Sequence, residues 1–339
     1  MIPLKGSFSV FAQNPRQPET GPGGTDYAHR TVRWYDHGAR ADGYWLFAPA
    51  DPVPAIAPVV VLMHGYGAYN PMIYGKWIKH LVGKGNTVIY PRYQRNLILP
   101  RPNAFPANAA TAIRHALYML QREEGHSRPL TTERLSYIGH SYGGVISSHL
   151  GVHWQQYHLP PPDAMLLVEP GSGPFSGARL TDYGGLPDDL RLLVVVGEDD
   201  IVVGAEFGAL VYNTARQVQH RNFLLQRRDL SGTRSIGATH TEPYCPDLDF
   251  DTGVRNFTAL RALSAGRTNE VDYAYWRLAD ALLDDTRYGR NGHIAFGNTP
   301  QQCFMGYHDD GRPIRPMEAW MPPSEIRLLS RQQSRQRIS

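Results

Sequence analysis

Cysteine is nearly missing from this 339-residue chain: Cys245 and Cys303 are the only two. They are too few for a disulfide framework and too far apart in sequence for a zinc knuckle. One bridge and two free thiols are both open. No run of about 18 apolar residues occurs, so no transmembrane helix is expected. The stretch from Met1 to Pro15 has no charged start followed by an apolar core, hence no visible signal peptide. A cytoplasmic protein or a mature secreted one is expected from that. Charge of one sign is also lacking, with 34 basic against 31 acidic residues and a net charge of +3. Neither a nucleic-acid surface nor an anionic membrane partner is expected. The one local bias is the tail, where Arg327, Arg331, Arg335 and Arg337 sit among Ser and Gln. It reads as a disordered, solvated terminus.

Other absences narrow the field further. There is no internal repeat and no low-complexity segment. Gly21-Pro22-Gly23-Gly24 precedes no strand–helix unit, which excludes a phosphate-binding loop. His64 and His80 have no carboxylate-bearing partner at ligand spacing, so no metal site and no cofactor is expected.

What is present is a rhythm of strands and helices. Strands are expected at Thr31–Tyr35, Tyr44–Phe47, Val59–Met63, Thr87–Tyr90, Leu135–Ile138, Ala164–Val168, Leu192–Val196 and Phe223–Gln226, the last taken as the final strand. Helical spacing marks Met72 to Val82, Ala107 to Arg122, Val145–Trp154, part of Ala205–Val218, and Val271–Tyr288. Val59–Met63 is apolar throughout, as expected of a strand covered on both faces. Strands alternating with helices predict an α/β fold, a mostly parallel sheet with helices on both faces. Residues 1–26 read as an irregular N-terminal arm, 27–245 as the core, and 246–339 as a helical extension packed on that core.

One motif carries chemistry: Gly139-His140-Ser141-Tyr142-Gly143-Gly144, between a strand and a helix. A serine on a sharp strand-to-helix turn must project its hydroxyl outward, and only residues without bulk fit two positions before and after it. Gly139 and Gly143 meet that need, and Ser141 is the expected nucleophile. His64-Gly65-Tyr66-Gly67 follows the strand Val59–Met63. Acyl transfer needs two N–H donors for its oxyanion. The backbones of Tyr66 and Tyr142 are the expected pair. The orienting acid belongs after the strand Leu192–Val196, in Gly197-Glu198-Asp199-Asp200. Asp200 is preferred, because three residues past Gly197 the loop can fold back across the strand ends; Asp199 and then Glu198 are the alternatives. His240 is the first histidine after Phe223–Gln226, where the base belongs, with His293 and then His308 as competitors. Tyr66, Tyr69, Tyr74, Tyr93 and Tyr142 either line an acyl pocket or pack the edge of the core.

From Tyr44 to Tyr244 these motifs resemble an α/β-hydrolase of the esterase/lipase group. His240-Thr241-Glu242-Pro243, Gly297-Asn298-Thr299-Pro300-Gln301-Gln302 and Met305-Gly306 are similar to a bacterial set of such hydrolases, mostly without an assigned substrate. Tyr142 departs from the Met or Gln that many polyester- and lipid-cleaving relatives carry after the nucleophile. The resemblance implies a serine hydrolase acting on a small or polymeric carboxylic ester through an acyl-enzyme. An acyltransferase or lyase using the same residues, or a non-catalytic binding protein on the same fold, are the other readings. Only some 23 residues separate Val168 from Leu192, too few for a large inserted cap.

Overall fold

The structure is a computed structural model describing residues 17–122, 128–129, 133–232 and 235–320; the arginines of the basic tail lie outside the described residues. In chain order its elements are β1 (Thr31–His37), β2 (Tyr44–Ala50), β3 (Ile56–Ala57), β4 (Val59–Met63), α1 (Gly75–Gly83), β5 (Thr87–Pro91), α2 (Phe105–Arg122), β6 (Arg128–Pro129), β7 (Leu135–His140) and α3 (Tyr142–Val152). There follow β8 (Pro162–Val168), β9 (Arg191–Gly197), α4 (Glu206–Thr214), β10 (His220–Gln226), α5 (Phe257–Ala265), α6 (Glu270–Tyr288), the short α7 (Gly292–Ala295) and α8 (Pro300–Cys303), and β11 (Glu318–Ala319). Nine strands make one sheet in the order β1-β2-β5-β4-β7-β8-β9-β10-β11, and β3 pairs with β6 apart from it. The run from β5 to β10 is parallel, while β1, β2 and β11 join antiparallel at the edges. This is an α/β architecture.

The apolar runs explain the layering. Along β4, Val60 and Leu62 join the core that contains Trp77, Leu81, Leu278 and Leu282 from α1 and α6. Val59, Val61 and Met63 join the opposite core, with Ile113 and Leu117 of α2 and Ile146 of α3. Alternate residues thus leave the sheet in opposite directions and both faces are dry. Each fully buried leucine of this kind contributes about 1.5–3 kcal/mol.

Helix α6 is fixed at both ends. Asn269 and Asp272 form a reciprocal capping box, and Gly289 closes the helix in the left-handed region at φ 62°. Its buried face lies against α1 and under β8 and β9. Residues beyond 245 therefore complete one face of the sheet.

Two expectations need correcting. Phe223–Gln226 is not the last strand: β11 pairs antiparallel with β10, Ala319 opposite Leu224 and Glu318 opposite Leu225. Two residues are too short to show an alternating pattern. Helix α3 begins at Tyr142, not Val145. Gly143 and Gly144 are poor helix formers that mask its first turn, and they are there for close packing. Both cysteines are free thiols, Cys245 buried in the α1/α6 core. No helix among the described residues is long and apolar enough to cross a membrane.

Candidate active site

Ser141 sits where β7 ends and α3 begins, with φ 55° and ψ −124°, a conformation side chains avoid. Its backbone is pinned on both sides. Its N–H donates to the Val168 carbonyl at 3.1 Å, and its carbonyl accepts from Gly144 at 2.9 Å and Gly171 at 3.1 Å. The neighbouring glycines are sterically required. A Cβ on Gly143 would lie 2.0 Å from the Met63 carbonyl oxygen, and one on Gly139 would lie 2.8 Å from the Gly143 oxygen. The turn therefore packs directly on the end of β4.

Three side chains from three strand ends meet there. His240 Nε2 stands 2.9 Å from Ser141 Oγ, and His240 Nδ1 stands 2.8 Å from Asp200 Oδ2. The other oxygen of Asp200 accepts from the amides of Val202 at 2.9 Å and Val203 at 3.0 Å. Asp200 thus only accepts, so His240 Nδ1 carries the proton. That leaves Nε2 with a lone pair that accepts a hydrogen bond from the Ser141 hydroxyl. All three side chains are buried.

The alternatives are engaged elsewhere. Asp199 meets Arg228 at 3.3 Å and Glu198 meets Arg227 at 3.1 Å, both at the surface. His308 Nε2 pairs with Asp229 at 3.0 Å, and His293 is exposed on α7. Of the histidines set aside as ligands, His80 faces Asp280 at 3.0 Å. His64 stacks on Tyr93 with ring centroids 4.1 Å apart, and burial lowers its pKa to about 4.

The loop after β4 lies against the turn: a Cβ on Gly65 would be 3.2 Å from the Ser141 Cβ. Its amides are nearly all taken, Gly65 by Tyr74 Oη at 3.1 Å, Gly67 by Gln94 Oε1 at 2.8 Å, and Ala68 by the Gly65 carbonyl at 3.0 Å. The amide of Tyr66 has no partner among the described residues. Tyr142, as the first residue of α3, likewise has no intrahelical acceptor. Among the described residues both amides are without a partner, and α3 begins with its positive end at Ser141. Helix α5 holds the loop from outside, with Thr258 Oγ1 donating to the Tyr66 carbonyl at 3.2 Å and Asn256 Nδ2 to that of Gly67 at 2.7 Å.

The tyrosines divide between pocket and frame. Tyr66 is half-buried and stacks on Phe175 at 4.9 Å. Tyr142 anchors its hydroxyl on the Gly177 carbonyl at 2.6 Å. Tyr69, Tyr74 and Tyr93 are buried, and the Tyr93 hydroxyl donates to the His64 carbonyl at 2.7 Å. They belong to the frame.

Sequence reasoning missed a second layer beneath the triad. His140 Nε2 donates to the His240 carbonyl at 2.9 Å, and its Nδ1 accepts from the Tyr74 hydroxyl at 2.7 Å. Because that hydroxyl also accepts from Gly65, one chain of hydrogen bonds joins the β4 loop, the residue before Ser141 and the backbone of His240. Burial, with His240 beside it, pushes the His140 pKa well down, so the ring is neutral as this pattern requires. Glu169 lies 3.5 Å from His140 Nε2. Its sequence signal was an acid directly after an apolar strand and before Pro170. His140, Glu169 and His240 offer ligand atoms within 4.8 Å of one another, the one such group among the described residues able to hold a metal. Three of the four ring nitrogens face the His240 carbonyl, Asp200 and Ser141, and the fourth faces Tyr74, so a metal would have to displace hydrogen bonds already made. No protein-family model and no curated protein matches the chain.

Proposed function

We propose that this protein is a serine hydrolase of α/β-hydrolase type that cleaves carboxylic esters. The observation that carries the reading is the continuous Ser141–His240–Asp200 relay, 2.9 Å and 2.8 Å, mounted on a positive-φ turn. Asp200 fixes the tautomer of His240. His240 takes the Ser141 proton as Oγ attacks the ester carbonyl, then returns it to the leaving alcohol. The oxyanion rests on the amides of Tyr66 and Tyr142. Water, deprotonated by His240, attacks the acyl carbon; the bond to Ser141 Oγ breaks, His240 returns the proton to Oγ, and the carboxylic acid leaves.

Apolar side chains flank the residues of the relay. Ile201 and Val202 are exposed next to Asp200, and Phe257 and Leu260 are exposed on α5, the helix that holds the Tyr66 loop. The apolar pair beside Asp200 favours an ester with an apolar acyl or alcohol group.

The test is turnover of short- and medium-chain p-nitrophenyl esters with a fluorophosphonate label run alongside. Wild type should turn over and label at Ser141, and His240→Ala should lose both. A wild type that neither labels nor turns over defeats the reading. Glu198→Gln and Asp199→Asn serve as controls. Their partners are surface arginines, so each should keep kcat/KM within about threefold and cost less than about 1 kcal/mol in thermal unfolding.

A further inference from the structure

Glu169 is a fully buried acid beside the triad for which the mechanism above has no use. The chain holds it there at a cost. Its backbone is left-handed at φ 46° without being glycine. Room is made for the carboxyl by Gly197, where a Cβ would lie 3.2 Å from Glu169 Oε1 and 2.3 Å from the Ala238 carbonyl oxygen. Its Oε2 has no hydrogen-bond partner among the described residues. That oxygen lies 3.5 Å from His140 Nε2, whose proton points to the His240 carbonyl instead. A carboxylate oxygen of Glu169 is also within 4.8 Å of a His240 ring nitrogen. Two carboxyl groups therefore flank one imidazole, Asp200 in contact and Glu169 one short step away.

Gln226 and Tyr275 close the other side of Glu169. Gln226 Nε2 donates to the Gly237 carbonyl at 2.5 Å, so Gln226 Oε1 receives the single hydroxyl proton of Tyr275, also at 2.5 Å. The same Tyr275 hydroxyl has Glu169 Oε1 as a second, longer acceptor at 3.3 Å. Asp200, Glu242 and Asp272 push the Glu169 carboxyl up, against the hydrogen bond from Tyr275, which lowers it. His140 comes from β7, Asp200 follows β9, His240, Glu242 and Tyr244 follow β10, and Asp272 and Tyr275 come from α6. Burial is the main cause holding the Glu169 carboxyl well above the usual range, and Asp200 is the next.

We propose that Glu169 is a second carboxyl for the base, a positioning residue that pairs with His240 Nδ1 once Asp200 is removed. The proposal rests on the reading of Ser141 as nucleophile. Without the Asp200 charge, Glu169 ionises more readily; its proton passes to solvent and its carboxylate accepts the Nδ1–H of His240. Alanine at 200 opens the space for that movement. Asparagine is the wrong probe, since its amide can donate to Nδ1 and hold the unreactive tautomer.

The experiment compares kcat/KM on p-nitrophenyl butyrate for wild type, Glu169→Gln, Asp200→Ala and the double variant, across the neutral pH range and with added formate. Glu169→Gln alone should cost about two- to fivefold, Asp200→Ala about 100-fold, and Glu169→Gln in the Asp200→Ala background at least about tenfold more. Activity of Asp200→Ala should rise with pH through an ionisation absent from the double variant. Formate should rescue the double variant about tenfold or more and Asp200→Ala less than about twofold. Equal rates and equal pH profiles for Asp200→Ala and the double variant would overturn the proposal while the hydrolase reading stood. Should the double variant not fold, strong formate rescue of Asp200→Ala alone would overturn it as well. A wild type that neither labels nor turns over would take both readings down together.

Discussion

Replacing Ser141 by alanine is expected to lower kcat/KM for ester hydrolysis by at least about 10,000-fold. The melting temperature should stay within about 2 °C of wild type. The two halves of this prediction come from different parts of the residue. In the proposed mechanism the Ser141 hydroxyl forms the acyl bond, and its loss leaves His240 and Asp200 with nothing to activate. The backbone, in contrast, is held by bonds that alanine keeps: to the Val168 carbonyl, and from Gly144 and Gly171. Alanine also keeps the strain, because φ 55° is as unwelcome to alanine as to serine. Ser141→Gly separates the two effects. It should be equally inactive yet about 1 kcal/mol more stable by denaturant unfolding, because glycine relieves the left-handed cost. A Ser141→Gly protein less stable than Ser141→Ala would show that the turn stores no strain.

Gly143→Ala is expected to be the most damaging single-methyl change in the site. The added carbon would stand 2.0 Å from the Met63 oxygen, 2.4 Å from the Met63 carbonyl carbon and 2.5 Å from the His64 oxygen. All three are backbone atoms of β4 and the residue after it, so no side-chain rotation relieves the clash. Either α3 moves off the strand or β4 shifts in the sheet. The expected cost is about 3 kcal/mol or more, together with loss of fluorophosphonate labelling as the turn distorts. Gly144→Ala is the natural comparison. Its nearest neighbour would be the Pro170 Cβ at 2.7 Å, a ring that can give a little, so it should cost less. Urea unfolding of the two variants side by side reads the difference directly.

How much of this was legible in the sequence depended on whether a signal was local. The central strands were, because Val59–Met63 and Leu192–Val196 are apolar without alternation and that pattern belongs to a sheet covered on both faces. Helix α6 was legible from its spacing and its closing glycine. The short edge strand β11 was not, since two residues carry no period. Ser141 announced itself through the glycines around it, whereas the choice among Glu198, Asp199 and Asp200 needed the fold. All three are acidic, and what distinguishes Asp200 is that its oxygens reach two amides and His240 while its neighbours reach surface arginines. Glu169, His140 and Tyr74 escaped for a related reason. Their importance lies in contacts between residues separated by 66 and 100 positions, which no motif spans.

Helix α6 also bears on the order in which the chain must be made. Ser141, Asp200 and His240 have all been synthesised well before Val271, Tyr275, Leu278 and Leu282, which close one face of the sheet. During translation the strands therefore wait with an apolar flank bare until the helix emerges. A message truncated between residues 246 and 270 would yield a polypeptide that contains Ser141, Asp200 and His240 and still has no finished interior. Such a fragment should collect in the insoluble fraction, where transiently exposed strands aggregate. Synthesis of α6 is in this sense the step at which the sheet can first be closed on that face.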